Sequence, residues 1–155
     1  MRVIHTSAAP SHTGPVPQAV ESGGWIHVSA LFGTMPRSGE LPEDPRKEAE
    51  QLFTNLAAIL AEADAALTDV VKVGIFMRHL QRDRPIFNAV WVERFGPHRP
   101  ARSAVEVGDF GRPGDNARYM IEAVAHRERR RSRSAERDLP ASARPPESSG
   151  SARRS

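Results

Sequence analysis

The sequence predicts one α+β domain, a mixed β-sheet with two helices packed on one face, followed by a tail with no fold of its own. Three observations carry this. Valine-rich runs and helical-period runs alternate in the order β-β-β-α-β-α-β-β, which favours helices layered on a sheet. The longer helical run is apolar on one face and polar on the other, so it lies on a sheet with one side wet. The composition also breaks sharply after His126. No internal repeats are present.

The elements follow in chain order. RVIHT at the N-terminus is a short opening strand. VPQAVESGGWIHVSALFG reads as two strands around the turn Ser22-Gly23-Gly24. MPRSGELPEDP is a loop by its proline and glycine content. Asp44 is then a helix N-cap and Pro45 suits the first helical position. Leu52, Phe53, Leu56, Ile59, Leu60 and Ala63 recur at three- and four-residue spacing on one face, with Glu48, Gln51, Asn55 and Glu62 opposite. A strand runs from about Asp69 to Met77. A second helix runs from about Asp83 to Phe95, with Ile86, Phe87, Val90 and Trp91 at helical spacing and Gly96-Pro97 stopping it. ARSAVEV (101–107) and YMIEAVAH (119–126) close the domain as strands, linked by the turn-rich GDFGRPGDNAR.

With 155 residues, 39% of them hydrophobic, the chain can build one real core. It has no cysteine, which excludes disulfides and thiolate chemistry. The N-terminus lacks the apolar run of a signal peptide. No run approaches the roughly 18 apolar residues of a membrane span, so a cytoplasmic location is expected. From Arg127 onward nine arginines face four acidic residues, a net of +5, which leaves −2 for residues 1–126 of the chain's +3. Residues 127–155, rich in Arg, Ser and Pro, are expected to be disordered. Such a tail is either simply solvated or an arm for nucleic acid or an acidic partner.

Two charges sit where strands usually carry neutral residues. Arg102 opens one strand, and Glu122 interrupts the last between Ile121 and Ala123. A carboxylate in an apolar strand needs a partner. One reading is a structural ion pair between the two. The other is a site in which Arg102 binds an anion and Glu122 handles a proton or a water. The six histidines show no metal-ligand spacing, so no metal site is expected. Lys72, alternating with Val71 and Val73, faces outward or snorkels. Asn88, mid-helix where asparagine is a poor helix former, is either a surface residue or a polar contact near the site.

GPVPQAV, RSGELPED, LFTNLAAILAEADAALTDVVKVGIFM, FNAVWVERFG, PARSAVEV and IEAVA occur here in this order. With them the chain resembles the RidA (YjgF) family of reactive intermediate deaminases over residues 1–126. The resemblance implies a chorismate-mutase-like fold that assembles as a homotrimer, with ligand sites in clefts between subunits. It implies hydrolysis of enamines or imines such as 2-aminoacrylate to 2-keto acids and ammonia, with no cofactor. It assigns the carboxylate clamp to Arg102 and the positioning or activation of water to Glu122. Ser29, Ala30, Asn88 and Val16 are then expected to line the substrate.

The chain departs from the family pattern at several places. Val16 stands where the archetype has tyrosine after Gly-Pro. Ser29-Ala30-Leu31-Phe32-Gly33 replaces Ser-Gly-Gln-Ile-Pro, and Ala104 replaces a frequent cysteine. The clamp is kept in more apolar surroundings, which points to a bulkier or more hydrophobic substrate or to reduced deaminase activity. Two other readings stay open. One is a non-catalytic module binding a small carboxylate metabolite in the same cleft. The other is an RNA-associated protein, since family members are described as translation inhibitors or ribonucleases.

Overall fold

The computed structural model describes residues 1–12, 14–111 and 116–128. The expected disordered tail therefore falls, but for Arg127 and Glu128, outside the described residues. Six strands form one sheet: β1 (Arg2–Ile4), β2 (Ala19–Ser22), β3 (Trp25–Phe32), β4 (Val70–Met77), β5 (Ala101–Glu106) and β6 (Tyr119–His126). Their spatial order is β1-β2-β3-β6-β4-β5. All neighbours are antiparallel except β4 and β5. The β2–β3 hairpin turns at Gly23-Gly24, with φ of +61° and +87°. Both residues lie in the left-handed region that two-residue hairpins require and that glycine adopts without steric cost.

Helices α1 (Pro45–Glu62) and α2 (Leu80–Phe95) cover one face, α1 over β3 and α2 over β4 and β5. Asp44 caps α1 as expected, its Oδ1 accepting from the amides of Arg46 and Lys47. The apolar stripe from Leu52 to Ala63 is fully buried. Phe53 lies 5.4–6.0 Å, centroid to centroid, from Phe87, Trp91 and Phe95, which locks the two helices together. Each such ring pair contributes about 0.5–1.5 kcal/mol beyond its buried area.

Two expectations about the helices need correction. Glu48 and Asn55 are not on a wet face; both are completely buried. Glu48 accepts from the backbone amides of Arg118 and Tyr119 and from the Arg118 guanidinium at 2.7 Å, pinning the start of β6. Asn55 Nδ2 donates to the carbonyls of Phe32 and Thr34, satisfying the end of β3. The second helix also begins at Leu80, a turn earlier than expected, and carries Pro85 inside it. Its first amide donates to Glu106 Oε2 on β5 at 2.7 Å, a cap from 26 residues away. The neighbouring His79 side chain makes no cap hydrogen bond.

Among the described residues no element covers the sheet face away from the helices. That face presents Trp25, His27, Lys72, Val105 and Glu122, all exposed. The Trp25 ring stacks on His126 at 4.4 Å. Among the described residues no helix is long and apolar enough to cross a membrane.

Candidate functional site

Glu122 sits on the bare face in β6, directly opposite Gly74 of β4. A Cβ at Gly74 would come within 2.9 Å of Glu122 Cγ and Oε1, so the glutamate side chain lies over the space that the missing side chain leaves. Glycine weakens the interior of a strand, and its place here is explained by this close approach. On the other flank, Val28 pairs with Ala123 but Leu31 pairs with Ile121. Ser29 and Ala30 thus face Glu122 alone, a β-bulge that re-aims the strand beside this carboxylate. Ser29 Oγ donates to Pro17 O at 2.7 Å, and Ser29 N donates to Gln18 O. These bonds hang the Val16-Pro17 segment beside the bulge. Buried Gln18 fixes the segment further by accepting from Thr6 N and donating to Pro10 O. Val16 itself is 50% exposed. His27, Lys72, Gly74 and Glu122 line a shallow cleft of about 280 Å³.

Arg102 sits elsewhere. It lies on β5, an edge strand, and its guanidinium carbon stands 4.8 Å from the centroid of the Trp91 ring on α2. That stacking puts it on the helix side of the sheet and contributes about 0.5–1 kcal/mol. Trp91 is 4% exposed and wedged between Phe53 and Phe95, so the ring is a rigid shelf. Partial burial, then the positive charge of Arg84, lower the pKa of Arg102 from its ordinary value. Half-buried Asn88 lies on the same stripe of α2, between Arg84 and Trp91 at helical spacing. Arg102 has no carboxylate or other acceptor among the described residues.

The ion pair between Arg102 and Glu122 does not form within one chain. The two lie on opposite faces of the sheet, Arg102 on the side of α2 that carries Asn88 and Glu122 beside the Ser29-Ala30 bulge, to which Val16 is tied only through Pro17. Of the apolar replacements near the bulge, Leu31 points into the core at 3% exposure, so its side chain answers to packing rather than to a ligand. Ala30 also borders a second cleft, of about 350 Å³, with His12, Thr34 and Arg37 in its wall. Burial lowers the pKa of His12 from its ordinary value. Gly74 and Trp91 are the contributors that the sequence reading did not assign to a site. An isolated glycine inside VVKVGIFM is the signal that points to the first; nothing local marks the second.

Residues 6–127 match the family model described as Endoribonuclease L-PSP. A 2-iminobutanoate/2-iminopropanoate deaminase of Dermatophagoides farinae is 40% identical over 124 residues, covering 79% of this chain and 94% of that protein. A RutC family protein of Pyrococcus abyssi is 39% identical over 127 residues, covering 81% and 97%. The structure of Escherichia coli TdcF with bound serine superposes with a TM-score of 0.77 at 30% identity, over 83% of this chain and all of that one. Relatives named imine deaminases place that role in the family. By matched length, identity and fold, the chain belongs to the Endoribonuclease L-PSP family, the RidA (YjgF) family of the motifs above.

Proposed function

We propose that this protein hydrolyses small 2-imino acids to 2-keto acids and ammonia in a cleft completed between the subunits of a homotrimer. The observation that carries this is Arg102, its guanidinium held over the Trp91 ring with no acceptor among the described residues. A guanidinium fork binds a carboxylate with charge-assisted bonds of about 1.5–3 kcal/mol, more than one point charge would orient. The serine bound in the TdcF relative shows a small carboxylate accommodated on this fold.

In the reaction, Glu122 accepts a proton from water as the water oxygen bonds to the carbon of the protonated C=N group. The π electrons pass to nitrogen and give a carbinolamine. Glu122 gives its proton to that nitrogen. The C–N bond then breaks, its electron pair leaving on ammonia, as the hydroxyl gives its proton to Glu122 and C=O forms; that proton protonates the next imine. The balance is one imine and one water to one ketone and one ammonia. A positioned general base contributes roughly 10²–10⁴-fold to such a step, and positioning contributes further.

Because Arg102 and Glu122 face opposite sides of one sheet, a shared substrate requires Arg102 of one subunit and Glu122 of the next. The bare, partly apolar sheet face is the surface that assembly would cover. A subunit-mixing experiment tests this. Arg102→Ala and Glu122→Gln are each inactive. Refolded together from an equal mixture, they regain about a quarter of wild-type activity, because about a quarter of random interfaces unite an intact Arg102 with an intact Glu122. No recovery in mixed trimers overturns the shared site. A second reading, binding of a small carboxylate without turnover, is favoured by the serine-bound relative; calorimetric binding with no hydrolysis of any imine establishes it.

A further inference from the structure

The arginines of the described residues fall into two groups. Arg2, Arg46, Arg78, Arg82, Arg118 and Arg127 are paired with carboxylates. Arg94 and Arg99 donate to neighbouring oxygens. Arg37, Arg84 and Arg102 have no acceptor among the described residues. Arg84 lies on the stripe of α2 that leads to the Trp91 shelf of Arg102. Arg84, Asn88 and Trp91 follow one stripe of α2, and Arg102 lies on the ring of Trp91. Arg84 is exposed and close enough for its charge to act on Arg102.

Two like charges brought together on a partly desolvated shelf repel, and nothing in the described fold compensates them. Glu106, the acid on the same face of β5, is already committed to the first amide of α2. Asp83, next to Arg84 in sequence, is 1% exposed and held by Arg82. An arrangement of this kind is stabilised by an anion that spans both cations, and it discriminates between ligands by their charge.

We infer that Arg84 is a specificity residue. It binds a second acidic group on the side chain of the substrate while Arg102 holds the 2-carboxylate, so the preferred 2-imino acids are dicarboxylates. The inference rests on the proposed function for the role of Arg102. It also departs from the expectation of a more hydrophobic substrate, which drew on Val16, the Ser29–Gly33 segment and Ala104; of these, Leu31 is a residue of the core. Asn88, between the two arginines, offers an amide that can donate to either carboxylate.

Binding titrations with stable keto-acid products separate this inference from the reading beneath it. The probes are 2-oxoglutarate, with two carboxylates, and 2-oxobutanoate, with one. The proteins are wild type, Arg84→Ala, Arg84→Lys and Arg102→Ala, all as the full chain. Wild type binds 2-oxoglutarate at least tenfold more tightly. Arg84→Ala abolishes that margin, weakening 2-oxoglutarate at least tenfold more than 2-oxobutanoate, and Arg84→Lys restores part of it. Arg102→Ala weakens both ligands. Equal affinity of wild type for the two probes, or a margin that survives in Arg84→Ala, overturns the role of Arg84 while leaving Arg102 in place. Binding of both probes unaffected by Arg102→Ala, or no binding of either, overturns the proposed site and this inference with it.

Discussion

Gly74→Ala isolates the placement of Glu122 from the stability of the fold. The new methyl would sit 2.9 Å from Glu122 Cγ and Oε1 and 3.3 Å from Cδ. Ordinary carbon contacts need about 3.5–4.0 Å, so the carboxylate must swing aside. Gly74 has no positive φ, so alanine fits its backbone. The substitution gains about 0.4–1 kcal/mol by narrowing the unfolded ensemble. Driving Glu122 off its rotamer costs about 0.5–1.5 kcal/mol. The two nearly cancel, and the midpoint of thermal unfolding stays within about 4 °C of wild type. Hydrolysis does not share this compensation, because a misplacement of about 1 Å at a reacting group can cost on the order of 100-fold. The expected result is a loss of about 10- to 100-fold in kcat/KM for imine hydrolysis at nearly unchanged Tm. Thermal unfolding followed by circular dichroism and a keto-acid release assay on the same preparation measure both. Wild-type kcat/KM would refute the role given to the position of Glu122. A drop of more than about 10 °C in Tm would instead show that Gly74 serves packing.

Other outcomes follow from the buried polar contacts. Glu48→Ala strands the amides of Arg118 and Tyr119 and leaves Arg118 without its carboxylate; it costs about 3 kcal/mol, the low end for a broken buried pair because Arg118 is partly exposed. Urea denaturation showing a loss below about 1 kcal/mol would contradict this. Burial, opposed by hydrogen bonds from Arg118 and Tyr119, raises the Glu48 carboxyl above its ordinary 4.5. The folded chain therefore holds this proton more tightly than the unfolded chain. The stability of wild type relative to Glu48→Gln falls as pH rises from about 4.5 through the raised folded value; a difference that grows with pH over that window would reverse the sign. Asp44→Ala removes the cap of α1 and lowers stability by about 1 kcal/mol, read by the same denaturation.

Local chemistry explains what was legible in the sequence. The paired glycines at 23 and 24, the Asp44-Pro45 start and the stripe from Leu52 to Ala63 each encode their element within a few residues. The contacts that were missed span the chain. Glu48 is buried because Arg118 and Tyr119 come to it, and Asn55 because Phe32 and Thr34 end there. The second helix starts at Leu80 because Glu106, on another strand, accepts its first amide. The faces of Arg102 and Glu122 could not be compared from sequence because β5 is an edge strand. Val105 points from it to the bare face at 47% exposure, so no apolar alternation reveals which side meets the helices. The motifs named Arg102 and Glu122 as candidates, but the sequence alone did not reveal that the two side chains lie on opposite faces of the sheet.

The most direct measurement is a coupled assay in which a serine or threonine dehydratase generates the imine in situ and keto-acid release is followed. Wild-type protein should accelerate release, while Arg102→Ala and Glu122→Gln, each shown to be folded, should leave it at the uncatalysed rate. Wild-type acceleration that persists in Arg102→Ala would contradict the carboxylate clamp on which the proposed chemistry rests.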